Sequence, residues 1–277
     1  GQKRPQQITS RMISYFVDGL RFNSMADNSI GSILSELFNV LRFCLDFDLI
    51  SEMPRRPRLN KKPEKKQIFS PLEIQSVIEN LNHPMYAVMA FVQYQLALRF
   101  SELLALQKQD FDLNNRRVRI HHSLLRYKDG PFEERLAPTK NRTDVWLPLS
   151  EPLLRVMTQY LDGKSLTGSL WKDEYRGTGY VSNGYFNAQL KKAAKAAGIQ
   201  RKISSHCLRA SMLSWLVNHS GLNVNAAAFF GRHDTAVMLA RYTQKDAGPV
   251  FEVFGVKQGS ETAQNYNPLT LELSYVP

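Results

Sequence analysis

Residues 205–244 read SHCLRASMLSWLVNHSGLNVNAAAFFGRHDTAVMLARYTQ. A His-x-x-Arg pair, His206 and Arg209, opens the stretch; His233 follows, and Tyr242 lies nine residues beyond it. The apolar residues between them recur at helical spacing. Residues three apart on a helix share a face, so His206 and Arg209 point the same way. An imidazole and a guanidinium on one face offer donors and a cation to a cluster of anionic oxygens, such as a phosphodiester. Tyrosine is a residue type that forms covalent intermediates as a nucleophile. Singly, a tyrosine closing an amphipathic helix is a packing residue, and a lone histidine is a satisfied surface or core side chain. The ordered set carries the functional reading.

A second arginine far upstream adds to it. YQLALRFSELLAL (94–106) contains Arg99, with Glu102 three residues later. The order Arg-x-x-Glu, Lys, His-x-x-Arg, His, Tyr resembles the catalytic set of the tyrosine recombinase (phage integrase) family. ALRFSELLAL is similar to that family's first arginine box, HCLRASMLSWL to its His-x-x-Arg box, and GRHDTAVMLARYTQ to its closing box, including the His-to-Tyr spacing. The resemblance covers most of residues 70–244, and order and spacing together make it specific. It implies a catalytic set of Arg99, Lys140, His206, Arg209, His233 and Tyr242, with Glu102 in support. One departure stands out. The family has Gly directly before the histidine of the closing box, whereas here Arg232 intervenes. Spacing to Tyr242 selects His233; the longer spacing back to His206 leaves Arg232 as an alternative near the histidine's place.

The lysine is open between two positions. APTKNRTDVWLPLS (137–150) reads as strand, bend and strand with Lys140 at the bend, and Lys128 in YKDGPF (127–132) competes with it. The match of TKNR before the WLPL strand favours Lys140 as the family's mobile catalytic lysine.

Composition agrees with a polyanionic partner. The net charge is +11 and the pI about 9.6, with 43% hydrophobic and 22% charged residues, ordinary for a globular chain. At 277 residues there is room for two domains. The two cysteines, Cys44 and Cys207, define neither a disulfide framework nor a metal site, and an intracellular, cytoplasmic setting (nucleoid-associated in a bacterium) is expected. No apolar run approaches membrane-spanning length, so no membrane partner is expected. No GxxxxGK[ST] loop occurs. The chain begins at Gly1 within a basic segment, which reads as a fragment or processed chain.

Three segments follow along the chain. Residues 1–53 read as a partial helical core-binding domain. One helix is expected from about Ser10 to Arg21, with Ile13, Phe16 and Val17 on one side; another, within 29–50, carries Ile33, Leu34, Leu37, Leu41 and Cys44. Residues 54–69 read as a basic interdomain linker, since PRRPRLNKKPEKK (54–66) holds three prolines and seven Lys or Arg against one Glu. Arg55, Arg56, Arg58, Lys61 and Lys62 are expected to strap along the phosphate backbone, beside a plain reading as a solvated linker. Residues 70–277 read as the catalytic domain, with a tail after 248.

In that domain Ser70, Pro71 and Glu73 form a helix start with a capping box. MYAVMAFVQYQLAL (85–98) is a buried helix delivering Arg99. Val118 and Ile120 alternate on a strand, on which His121 and His122 point to opposite faces. A helix within 184–199 carries Lys191, Lys192 and Lys195, which together with Arg201 and Lys202 are candidates for facing DNA. LTLELSYV (269–276) alternates as a strand would and is expected to pair with a sheet edge in its own or a neighbouring subunit. The fold class is α+β, mostly helical, with a small antiparallel sheet at one edge.

The resemblance implies site-specific recombination through a 3′-phosphotyrosyl intermediate on double-stranded DNA, by a homo-tetramer on paired recombination sites. No cofactor is implied, because exchanging one phosphodiester for another conserves the bond energy. A type IB topoisomerase or a hairpin-forming telomere resolvase would use a similar set. A DNA-binding module with a decayed set is a reading of another class, against which the intact set speaks.

Overall fold

The computed structural model describes residues 3–60, 67–126, 134–139, 144–172, 179–242 and 267–273. The chain divides into two compact units, Gly1–Lys65 and Lys66–Pro277.

Among its described residues the first unit has a 3-10 turn, Pro5–Gln7, and two α-helices, α1 (Ser10–Phe22) and α2 (Asp27–Asp46). The Thr9 hydroxyl caps α1 by accepting from the Met12 N–H. Ile13 and Val17 of α1, four apart, meet Ile30, Leu34, Leu41 and Cys44 of α2 in a small core. Phe16 departs from expectation: it is 46% exposed, because a two-helix contact admits only one stripe of α1. The Pro-rich stretch after α2 follows this unit as far as Asn60. The Arg55 N–H donates to the Ser10 hydroxyl, and the Asn60 N–H to Asp27. Arg56 donates to the Gly31 carbonyl and the Ser35 hydroxyl, with its guanidinium 5.4 Å from the Phe38 ring centroid. Met53 and Leu59 pack on the core.

The second unit begins with α3 (Pro71–Glu79), whose Ser70–Glu73 capping box forms as expected. Next comes α4 (Pro84–Gln95), buried on every side from Tyr86 to Gln95, as a nearly all-apolar helix is expected to be. The short α5 (Phe100–Ala105) starts at Arg99. Among the described residues there follow β1 (Phe111–Asp112), β2 (Arg117–Ile120), β3 (His122–Arg126), β4 (Glu134–Pro138) and β5 (Val145–Pro148). They form two antiparallel sheets, one ordered β1-β2-β5 and one pairing β3 with β4. Val118 sits opposite Leu147, and both face the core.

The histidine pair departs from expectation. His121 lies between β2 and β3 and belongs to neither, so strand alternation fails there. The two imidazoles lie against one another with centroids 3.9 Å apart, and His121 is paired with Asp110.

Helix α6 (Glu151–Tyr160) is capped by Ser150, and α7 (Asn183–Ala196) by Ser182. Then α8 (Ser205–Asn218), α9 (Val224–Gly231) and α10 (Thr235–Tyr242) complete the domain. α8 packs on α4 in the centre of the core.

Near the C-terminus, residues 267–273 depart from the strand expectation. Asn267 and Pro268 start one 3-10 turn, Pro268–Thr270, and the rest is irregular. Leu271 is buried in the domain's own core, the Pro268 carbonyl accepts from Gln95 (2.6 Å), and Glu272 pairs with Arg155. Among the described residues 267–273, Leu271 docks on the domain's own core and no strand forms; residues 274–276 of the expected strand lie outside the described residues.

Candidate active site

The site gathers where α4 and α9 end. Both helices close with a non-glycine residue in the left-handed region, Ala97 (φ 46°) and Arg232 (φ 51°). Each makes the two backbone bonds of a Schellman turn. The Ala97 N–H reaches Tyr94 and Leu98 reaches Gln93; the Arg232 N–H reaches Phe229 and His233 reaches Ala228. The remaining carbonyls at these ends carry the negative pole of the helix dipole and need donors. Arginines supply them. Arg209, on α8, donates to the Ala97 carbonyl and, at 2.5 Å, to the Gly231 carbonyl. Arg232 donates to Phe230 (2.7 Å) and Ala97 (2.9 Å), and Arg99 to the carbonyl of Arg232 (3.1 Å).

One carboxylate sits among the three guanidinium groups. Glu102 is 1% exposed. It accepts from Arg99 Nη1 at 2.6 Å and Arg232 Nη2 at 3.0 Å, with Arg209 Nη1 at 3.8 Å. Burial alone would raise its pKa, but Arg232, Arg209 and Arg99 together hold it below the usual carboxylate range. Burial and the neighbouring Arg232 push Arg209 down to about 9, while Glu102 and Tyr242 oppose the shift, so it stays charged at neutral pH. Three cations against one anion leave two formal positive charges in excess. Arg209 and Arg232 are buried and Arg99 is part-exposed, so the excess is carried partly at the surface, and an anion there would offset it.

Tyr242, the last residue of α10, is 3% exposed. Its ring lies 5.8 Å from that of His233, and its carbonyl accepts from Asn218 on α8. Gly231 lets these elements approach: a Cβ there would stand 2.8 Å from Leu213 Cδ2 and 3.0 Å from Met238 Cε. His206 is exposed on the first turn of α8, one turn before the buried Arg209 with which the sequence spacing predicts a shared face.

The structure thus brings together Arg99, Glu102, Arg209, His233 and Tyr242. Lys140 and the competing Lys128 lie outside the described residues, as do Lys61 and Lys62. Lys191, Lys192 and Lys195 are exposed on α7, and Lys202 is exposed before α8. Arg201 is engaged within the domain: it pairs with Glu73, donates to the Ile68 carbonyl and lies 4.3 Å from the Phe69 ring centroid. Sequence reading misses the buried role of Arg232. Its one signal is the extra residue between Gly231 and His233.

The family model described as Phage integrase family matches residues 67–248. The Integrase of Staphylococcus phage L54a is 24% identical over 276 aligned residues, covering 86% of this chain and 75% of that relative. The Tn1549 transposon Integrase, solved in complex with a circular intermediate DNA, superposes with a TM-score of 0.75 at 16% identity, over 90% of this chain and 86% of that one. Lambda integrase, solved as a tetramer bound to a Holliday junction, gives a TM-score of 0.61 at 14% identity, over 86% of this chain and 65% of that one. The chain belongs to the phage integrase family, and thereby to the enzymes that cut and rejoin DNA as site-specific recombinases.

Proposed function

We propose that Tyr242 attacks a scissile phosphodiester of double-stranded DNA and forms a 3′-phosphotyrosyl link, releasing a 5′ hydroxyl. The phosphorus–O5′ bond breaks as the phosphorus–Oη bond forms. Lys140 protonates the departing 5′ oxygen as general acid, and His206 and His233 hydrogen-bond the phosphoryl oxygens or move the tyrosine's proton. Arg99 and Arg209 neutralise the phosphate through forked donors, acting most strongly as charge grows in the transition state. Since Tyr242 is 3% exposed, a local shift of α10 belongs to the reaction. A 5′ hydroxyl from a partner duplex then reverses the chemistry and completes the exchange. One phosphodiester replaces another, so the chemistry needs no energy source.

The observation that carries this reading is the cluster of three guanidinium groups around one carboxylate, Arg209 and Arg232 buried and Arg99 part-exposed, beside a tyrosine and a histidine. Exposed Lys191, Lys192, Lys195, Lys202, Arg55 and Arg58, with Lys61 and Lys62, supply sequence-neutral phosphate contacts. Four copies act on paired sites, as the lambda integrase tetramer on its junction suggests. The setting is intracellular, where the DNA is.

A randomised pool of nicked duplexes tests this. Cleavage beside the nick releases a short strand that diffuses away and traps the adduct. A denaturing gel should show a protein–DNA band with the parent chain and none with Tyr242→Phe, and sequencing the band yields the site. Binding without any adduct would refute the reading. Relaxation of a plasmid lacking paired sites would instead mark topoisomerase behaviour.

A further inference from the structure

We propose that Arg232 is a positioning residue for strand cleavage: it locks Glu102 and the Ala97 carbonyl so that Arg99 and Arg209 stay aimed at the scissile phosphate. The inference rests on the cleavage reading given above.

Arg232 is interlocked with both arginines through backbone and side chain together. Its carbonyl accepts from Arg99 Nη2 at 3.1 Å. Its own Nη2 spans the Ala97 carbonyl and Glu102, and Nη1 holds the Phe230 carbonyl. Ala97 is the acceptor it shares with Arg209, and Glu102 the acceptor it shares with Arg99. Arg232 is therefore the element common to both hydrogen-bond systems. Its terminal nitrogens are engaged by Phe230, Ala97 and Glu102, and the proposal therefore assigns it to holding these neighbours.

Two features argue against a purely structural cap. The position is left-handed, where glycine closes a helix without steric cost, yet an arginine occupies it. Unlike Ala97, which is left-handed with no side-chain contact of this kind, Arg232 carries at this point a side chain that bonds three groups of the cluster. The residue also adds a third cation to a buried cluster, where it repels Arg209 and lowers that group's pKa. A neutral donor would close the helix without that repulsion. A forked cation, by contrast, fixes the carboxylate and the carbonyl in one plane.

The test compares the parent, Arg232→Gly and Arg232→Lys on the randomised nicked-duplex pool, with protein in excess. Adduct rate, pool affinity by fluorescence anisotropy and thermal midpoint are measured together. Glycine suits the left-handed backbone, so Arg232→Gly is expected to keep its affinity while forming adduct about a hundredfold more slowly, the scale of a displaced catalytic group. Arg232→Lys reaches Glu102 but cannot fork across both carbonyls, so it melts like the parent, recovers part of the loss and stays about tenfold slow. A parental adduct rate in Arg232→Gly overturns the proposal, as does a rate loss that merely tracks weaker binding. If Arg232→Gly does not fold, a parental rate in Arg232→Lys overturns it. A parent chain that forms no adduct overturns the cleavage reading itself, which the same gel distinguishes.

Discussion

At the scale of single residues, Glu102 is the group on which the charge cluster depends. It is the carboxylate that Arg99, Arg209 and Arg232 share, so its removal leaves buried cations facing one another. Glu102→Ala is expected to lose about 3–5 kcal/mol of stability, the cost of breaking a buried charge pair from one side, as measured by urea denaturation at pH 7. The same residue predicts a pH dependence. Its folded pKa lies below the ordinary 4.5, so the folded state binds its proton more weakly than the unfolded chain. The stability it contributes is full above about 4.5 and is lost as pH falls through the folded value. Urea midpoints followed from pH 6 to pH 3 should fall more steeply for the parent than for Glu102→Gln. Ala97 offers a converse test. With φ at 46° it carries the cost of a Cβ in the left-handed region. Ala97→Gly is expected to raise stability by about 1 kcal/mol in the same assay.

At the scale of elements, helix starts are legible in the sequence because their signals are local. Ser70 with Glu73, Ser150 and Ser182 each lie three residues or fewer from the groups they cap. The set of Arg99, Arg209, His233 and Tyr242 is legible through order and spacing along the chain. The role of Arg232 is not. It depends on α9 closing at a left-handed residue and on a bond to Glu102 across the fold, neither of which leaves a periodic trace. The His121–His122 contact and the turn at Pro268 are hidden for a related reason: alternation predicts strand only where a partner strand takes up the backbone. Close approach of elements also explains Gly231. Gly231→Ala would drive a methyl into Leu213 and Met238, and is expected to cost about 1–3 kcal/mol in thermal unfolding. Arg201 and the α7 lysines should separate cleanly. Arg201→Ala removes its bonds to Glu73 and Ile68 and its packing on Phe69, and should lower the melting temperature. Replacing Lys191, Lys192 and Lys195 with Ala should leave melting unchanged but weaken duplex binding and flatten its salt dependence, by about one unit of slope for each phosphate no longer neutralised.

At the scale of the whole molecule, two compact units carry a net charge of +11, most of it outside the buried cluster. Under the proposed reading, the exposed lysines make sequence-neutral phosphate contacts and the cluster at the ends of α4 and α9 takes the scissile phosphate. The proposed chemistry turns on Tyr242 as the residue that forms the covalent link. The most direct measurement digests the trapped protein–DNA adduct with nuclease and protease and finds the modified peptide by mass spectrometry. A nucleotide joined through its 3′ phosphate to Tyr242 is the expected product. A link to any other residue, or through a 5′ phosphate, would contradict the proposed chemistry.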